Sequence, residues 1–285
     1  MLIVKRGFLK KGIYIVATPI GNLKDISLRA VETLKSADII ACEDTRVTKK
    51  LFGLLNISSD KPFIRLDDNT ENKQTEHLIS LVRSGKSIAL VSDAGSPLIS
   101  DPGYKIVNRC RKENIDVYTI PGACAVICAL QLSGLPTNNF MFAGFIPNKD
   151  KARKDTFLKL KNIDTTLVFY ETANRLLKTL NIISEVFGAR EISVARELTK
   201  LHEECLTGTV DQIIEHFSSN EPRGELVLII APPSEEELKP EINVDVLLRQ
   251  ELKNTTLKTA VKNISERYGL SKKDVYEQAL KIKNE

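Results

Sequence analysis

Histidine is scarce in this chain of 285 residues, and cysteine is scattered. Histidine occurs only at 77, 202 and 216, and the five cysteines (42, 110, 124, 128 and 205) form no C-x-x-C pair. That spacing offers no zinc constellation, so no metal is expected. The odd cysteine count argues against a disulfide framework and predicts reduced, buried thiols in a cytoplasmic protein. His202 stands alone between polar residues and reads as a surface or hydrogen-bonded side chain. No apolar run approaches the roughly 20 residues that a bilayer crossing requires, so no membrane association is expected. The N-terminal MLIVKRGFLKKG lacks the apolar core of a secretory signal; it reads as a frayed basic arm, with a phosphate contact as the alternative. No G-x-x-x-x-G-K-[ST] loop occurs, and no G-x-G-x-x-G follows a strand. These absences weigh against a nucleoside triphosphatase and against a Rossmann dinucleotide site.

What is present is an alternation of strand-like and helix-like runs. An apolar share of 42% and a charged share of 27% place the chain among soluble globular proteins, and its length fits two domains. Ile13–Ala17, Asp38–Cys42, Phe63–Leu66, Ser87–Val91 and Asp116–Ile120 read as strands, with helical spacing over Leu28–Lys35 and Thr75–Val82. Strands alternating with helices imply a largely parallel sheet covered on both faces. A second series follows: strands at Phe140–Ala143, Thr166–Tyr170, Ile192–Ala195, Glu203–Thr207 and Glu225–Ile230, and helices near Lys151–Leu160, Ala173–Val186 and Val210–Phe217. The last three strands have one helix among them, which predicts a partly antiparallel sheet. The expected boundaries are therefore residues 1–121 and 122–233 for two α/β domains.

The composition then changes. Pro232, Pro233, Pro240 and the acidic run at 235–237 mark a linker over 234–240. In residues 241–285, Leu257, Ala260, Val261, Ile264 and Tyr268 fall at i, i+3, i+4, i+7 and i+11, and Gly269 stops the helix. Ser271-x-x-Asp274 opens another helix with a capping box, expected to turn Val275, Ala279 and Leu280 inward. Two short helices so joined resemble a helix-turn-helix. From Arg249 onward nine Lys/Arg stand against five Asp/Glu, a surplus of four. That surplus is either a phosphate grip or a solvated helix face.

Four strand ends carry unusual turns. The richest is Ser92-Asp93-Ala94-Gly95-Ser96-Pro97-Leu98-Ile99-Ser100-Asp101-Pro102-Gly103, with four backbone punctuators and two carboxylates. A connector that had only to turn would need about 2–6 residues. The others are Ala17–Leu23, Glu43-Asp44-Thr45-Arg46 and Ile120–Ala125. In a parallel sheet all four emerge on the carboxyl edge, where α/β folds bind ligands. Exposed backbone at Gly21, Ala94, Gly95, Gly122 and Ala123 suits a flat group such as adenine, and Asp93 suits an ammonium or ribose hydroxyls. Asp101 reads either as an N-cap of a helix starting at Pro102 or as a participant in the site.

In order, VATPIGNLKDISLRAVETLKSADIIACEDTR, LVSDAGSPLISDPG and IPGACA resemble the tetrapyrrole methylase superfamily, and within it the branch that methylates a cytidine 2′-hydroxyl in small-subunit (16S) ribosomal RNA. The resemblance covers 12–233 and continues into the C-terminal helices. Two departures, Ala17-Thr18 and Ser96, keep size and hydrogen bonding. The resemblance implies a two-domain α/β fold with S-adenosylmethionine in the cleft between domains, a basic helical RNA-binding tail, and a homodimer acting in the decoding region of the small ribosomal subunit. Carried onto matching positions, the cofactor would touch Pro19 and Gly21, then Asp93, Ala94, Gly95, Ser96 and Pro97. It would also touch Pro121, Gly122, Ala123, Cys124 and Ala125, with a wall at Phe142, Ala143, Gly144 and Tyr170. In the tail, Lys258, Lys262, Arg267, Lys272 and Lys273 are the expected RNA contacts.

Methyl transfer from a sulfonium brings its own leaving group, so the protein's task is chiefly orientation. A 2′-hydroxyl is a poor acid, and a nearby base or cation would help. Glu43, Asp44, Arg46 and Lys200 are the catalytic candidates, with Arg196 and Glu197 beside them. Each has a structural alternative: Arg46 as a carboxylate or phosphate clamp, Glu43 and Asp44 as charges at a helix N-terminus. A tetrapyrrole or diphthamide-type methylase of the same superfamily, and a non-catalytic RNA-binding protein, are the competing readings.

Overall fold

The computed structural model describes residues 9–67, 70–220, 222, 224–238 and 244–284. Residues 1–8 of the expected N-terminal arm fall outside them. Up to residue 120 the order is β1 (Gly12–Val16), α1 (Leu28–Ser36), β2 (Ile39–Cys42), α2 (Thr45–Leu54), β3 (Phe63–Arg65), α3 (Glu71–Arg83), β4 (Ser87–Val91), α4 (Tyr104–Lys112) and β5 (Val117–Ile120). The five strands form a wholly parallel sheet in the order β3-β2-β4-β1-β5. Alternate side chains bury two cores. Tyr14, Val16, Ile40, Cys42, Ala89 and Val91 meet Leu34 and Phe52 of α1 and α2. Ile13, Ile39, Ala41, Ile88 and Leu90 meet Leu78, Val82 and Ile106 of α3 and α4. Strands covered on both faces must be apolar on both, hence the unbroken runs at 39–42 and 87–91.

Next come α5 (Ala125–Ser133), β6 (Phe140–Phe145), α6 (Asp150–Leu160), β7 (Thr166–Thr172), α7 (Leu176–Phe187), β8 (Glu191–Arg196), β9 (Glu204–Thr209), α8 (Val210–Ser219) and β10 (Glu225–Ile230). The second sheet runs β6-β7-β10-β8-β9; β6 and β7 are parallel and the other pairs antiparallel. One face carries α6, α7 and α8 around Phe157, Phe169, Leu180 and Phe217. The other packs α5 through Val126, Ala129 and Leu130 against Val168, Ala195, Val227 and Ile229. Ile20, from the turn after β1, also packs there, so the two sheets share one apolar seam. Both sheets belong to one compact unit ending at Pro233.

Helix α5 has no counterpart in the reading above, and α2 is anticipated there only as the helix start that Glu43 and Asp44 would precede. Helix α2 buries only Thr48 and Phe52, too narrow a stripe to stand out. Helix α5 is apolar nearly all round, so it has little periodic contrast.

The second unit, from Ser234, contains α9 (Glu235–Leu238), α10 (Val244–Glu251), α11 (Leu257–Tyr268) and α12 (Lys272–Asn284). Ser234 caps the single turn α9 within the stretch read as linker; residues 239–240 fall outside the described ones. The helical core is formed by three helices rather than two: Leu248 of α10 joins Ala260, Val261, Ile264, Val275 and Ala279. Gly269 ends α11 at φ +67°, in the left-handed conformation that glycine adopts without steric cost. Leu280, expected inward, is 39% exposed. It lies on the outer face with Tyr276, four residues earlier, whereas Val275 and Ala279 form the inner one.

Candidate active site

The turns at the carboxyl edge of the parallel sheet are cross-linked by their own backbones. Thr18 N donates to Gly95 O (2.9 Å) and Gly95 N to Thr18 O (3.1 Å), an isolated bridge joining the turns after β1 and β4. Ser96 Oγ donates to Ala123 O (3.2 Å), tying in the turn after β5. The turn after β2 joins through Asp44 N, which donates to Asp93 Oδ1 (3.1 Å). Gly95 adopts φ +76°, and a Cβ there would sit 3.2 Å from Ile20 Cγ2. Glycine is required for both the conformation and the close approach.

Facing this edge is the seam side of the second sheet. Tyr170 of β7, Phe145 of β6, Ala195 of β8 and Leu226 and Val227 of β10 form an opposing wall. The turn 197–203 after β8 closes the rim, with Lys200 Nζ on Glu197 Oε1 (2.9 Å) and Thr199 N on Glu203 Oε2 (2.6 Å). It also presses on the first turn: a Cβ at Gly21 would meet Leu198 O at 2.8 Å and Lys200 Cγ at 2.6 Å. The cleft so formed, open to solvent at its rim, measures about 600 Å³, within the range of cofactor sites. Among described residues other than glycine, positive φ occurs at Leu98, Ser100, Glu197 and Thr199, in the two turns that border the cavity, and otherwise only at Asn56 and Asn114. Asparagine tolerates that region; leucine, serine, glutamate and threonine are held there by their surroundings.

The electrostatics separate the carboxylates into distinct roles. Asp93 is exposed in the lining, and partial desolvation there raises its carboxyl against the pull of the Asp44 amide. Asp44 is a helix cap: it accepts from Arg46 N (2.7 Å) and pairs with the Arg46 guanidinium (2.6 Å), which hold its carboxyl well below the usual range. Neither Asp44 nor Arg46 lines the cavity, whereas Glu43 and Lys200 do. The N-cap reading of Asp101 is corrected. Helix α4 begins at Tyr104 with Gly103 as its N-cap, and the caps come from Glu71, which accepts from Gly103 N (2.9 Å) and Lys105 N (3.0 Å). Asp101 instead lines the cavity. Burial, aided by Cys124 and Asp101, pushes the Tyr170 hydroxyl up to about 12.

Of the residues matched to the cofactor, Asp93, Ala94, Gly95, Ser96, Cys124, Ala125 and Tyr170 line the cavity. Pro19, Gly21, Pro97, Pro121, Gly122, Ala123, Phe142, Ala143 and Gly144 stand outside that lining; Phe142 reaches it indirectly, packed edge-on against Tyr170 at 4.8 Å. Sequence reasoning missed Phe145 and residues 224–227, although Gly144 and Pro147 flank the first and Pro222 and Gly224 precede the others. All five cysteines are free, Cys42 and Cys110 buried with thiols pushed up by burial. Cys124, Cys128 and Cys205 are only half-buried, which corrects the expectation for these three.

A carboxylate in a cleft of mixed polarity, where Ala94, Gly95, Ala125 and Tyr170 stand beside Glu43, Asp101 and Lys200, fits a ligand with a cationic or hydroxylated end and a flat one. S-adenosylmethionine has those features. In the second unit, Lys258, Lys272 and Lys273 line one groove together with Tyr276 and Lys283. Lys262 and Arg267 do not line it; Arg267 lies 5.6 Å over the Tyr268 ring.

The family model of the tetrapyrrole (corrin/porphyrin) methylases matches residues 12–214. A protein of Erythrobacter litoralis named ribosomal RNA small subunit methyltransferase I is 50% identical over 275 residues, covering 96% of each chain. Its namesake in Rickettsia prowazekii is 44% identical over 94% of this chain and 96% of its own. The Thermotoga maritima namesake, 42% identical, aligns with 76% of this chain and 96% of its own. Among solved structures, a diphthine synthase superposes with TM-score 0.60 at 14% identity over 79% of this chain and 92% of its own. A uroporphyrin-III C-methyltransferase of Thermus thermophilus, solved with S-adenosylhomocysteine, gives 0.53 at 14% identity over 77% and 97%. At that identity the structures speak for the fold alone; the family model and the relatives go further, and by them the chain belongs to the tetrapyrrole methylases.

Proposed function

We propose that the chain is an S-adenosylmethionine-dependent methyltransferase that methylates the ribose 2′-hydroxyl of a cytidine in the decoding region of 16S ribosomal RNA, in the cytoplasm. One observation carries the methyl-donor half of this reading: the cavity between the two sheets, with Asp93 in its lining and strained turns on both rims. The acceptor half is supported by the near full-length likeness to proteins named ribosomal RNA small subunit methyltransferase I.

Asp93 would bind the cationic or ribose portion of the cofactor, and the 94–96 and 124–125 backbone would flank its adenine. When bound, S-adenosylmethionine supplies an electrophilic methyl with its own leaving group. The chain must then align the acceptor oxygen and stabilise charge developing on it. Lys200, held by Glu197 at the rim, is the cation in position for this, and Glu43 lies on the opposite turn. The arrangement gives Asp44 no acid–base part, because Arg46 occupies its oxygens.

The groove formed by Lys258, Lys272, Lys273 and Lys283 would grip RNA phosphates. A homodimer is also proposed, supported by the exposed Ile127 of α5 and Phe140 of the edge strand β6, which line one surface hollow. The decisive experiment is methylation of purified small subunits lacking the mark, with a labelled methyl donor and identification of the product nucleoside. Labelled 2′-O-methylcytidine is expected. A base-methylated product, or no transfer by protein that binds the donor, would overturn the reading.

A further inference from the structure

Beside the cavity lies a second depression, bordered by the ends of the parallel strands β6 and β7. The two share one residue: Phe145, 47% exposed, lines both, and its ring packs edge-on against Tyr170 at 5.2 Å. The depression is built of fixed parts. Next to Thr172 of its lining stands Glu171, 0% exposed, whose Oε1 accepts from Arg175 Nε (2.7 Å) and whose Oε2 accepts from the Thr179 hydroxyl (2.6 Å). Arg175 Nε also donates to Thr172 Oγ1 (3.0 Å). That hydroxyl donates to Asn174 Oδ1 (2.7 Å), with Glu171 Oε1 a more distant acceptor at 3.5 Å. The network thereby sets the Asn174 amide with its oxygen inward and its NH2 available as a donor at the rim. Across the depression, the buried Arg153 donates to Pro147 O (3.3 Å) and Asn148 O (3.2 Å), fixing the turn that carries Asn148. Lys149 and Lys151 follow directly on the exposed start of α6.

A buried carboxylate that orients a guanidinium, which in turn orients an exposed amide, is more than the sheet needs for its own stability. With an accessible aromatic ring, an oriented donor and flanking cations, the depression has the equipment for one unstacked nucleobase: a ring to stack on, a donor for a carbonyl or ring-nitrogen edge, and positive charge for the backbone. We propose that this second depression holds the base of the extruded acceptor nucleotide, with Asn174 donating to its acceptor edge and Phe145 stacking on its face. The shared Phe145 keeps the attached ribose beside the methyl-donor cavity. This inference rests on the reading of the chain as an RNA methyltransferase.

The test uses the full-length protein, small subunits lacking the methyl mark, and the variants Asn174→Asp and Phe145→Ala. Asn174 is exposed, and aspartate keeps the oxygen facing Thr172 while replacing the donor by a repelling carboxylate. Asn174→Asp is expected to weaken subunit binding and raise KM about ten-fold, with the melting temperature and the calorimetric affinity for S-adenosylmethionine unchanged. Phe145→Ala is expected to lower subunit affinity by about ten-fold or more, and Phe145→Tyr to restore it. Unchanged binding and KM in both Asn174→Asp and Phe145→Ala, while the unaltered protein methylates subunits, would overturn this inference alone. Failure of the unaltered protein to methylate subunits, despite binding the donor, would overturn the RNA reading and this inference with it.

Discussion

Replacing Gly21 by alanine adds one methyl group, and its consequence can be worked from the contacts. The new Cβ would stand 2.6 Å from Lys200 Cγ, 2.8 Å from Thr199 Oγ1 and 2.8 Å from Leu198 O. The lysine stem can swing aside, but the Leu198 carbonyl is backbone. Its turn is pinned by Thr199 N on Glu203 Oε2 and Lys200 N on Glu197 O. The turn must therefore move as a body, opening the rim of the cavity. Overpacking of this kind costs about 1–3 kcal/mol. For a unit of this size each kcal/mol shifts the melting temperature by about 2–4 °C, so a cost of about 2 kcal/mol lowers it by about 4–8 °C. The control is Gly53→Ala, near the end of α2, where a Cβ meets nothing within 4 Å. Removing a helical glycine there stabilises by up to about 1 kcal/mol. Calorimetric melts of both variants, with and without S-adenosylmethionine, give the readout. Gly21→Ala should lose stability and part of the donor-induced shift; Gly53→Ala should lose neither. A Gly21→Ala protein that melts within 1 °C of the unaltered one (about a quarter of the smallest expected drop) with the full donor shift would refute the reasoning.

Gly95→Val strains a backbone at φ +76° and drives a branched side chain toward Ile20, so donor binding measured by calorimetry should be lost in protein that still folds; normal affinity would contradict the assigned site. Asp93→Asn should weaken donor binding at neutral pH. Because partial desolvation raises the Asp93 carboxyl, its protonated form is the better tolerated one in the fold, and the charge costs stability once pH rises through the raised value. Asparagine is therefore expected to melt no lower than aspartate at pH 7, and the affinity gap between them to close on acidification, beginning above the usual carboxylate range. A gap independent of pH would remove Asp93 from donor recognition. Deleting residues 240–285 should leave donor affinity intact while weakening subunit binding and flattening its salt dependence; unchanged affinity and salt slope would make the second unit purely structural.

Much of the architecture could be read directly from the chain because strand burial is a one-dimensional property. Ile88–Val91 and Ile39–Cys42 are apolar on both faces, as a strand covered on both sides must be, and the helices between such strands point to a parallel sheet. The turn after β4 was legible for a related reason: glycine and proline restrict the backbone locally, so Gly95 and its neighbours announce a built loop before any contact is known. Elements whose evidence is spread over partners were hidden. Helix α5 is apolar on its exposed side as well as its buried one and therefore shows little periodicity, and α2 buries two side chains. The roles of the charged residues also depend on contacts made through space. Asp44 and Asp101 look alike as carboxylates after strands, yet the first is clamped by Arg46 at a helix start and the second faces the cavity because Glu71 of α3 already caps α4. The sequence alone determined the strand–helix alternation, the carboxyl-edge turns and the basic helical tail, all of which depend on local composition and period. Only the tertiary structure decided which turns touch, which carboxylate caps a helix and which lines the cavity, and that β6 and β7 end in a second depression. Those outcomes depend on distances between residues far apart in the chain, and no local pattern encodes them.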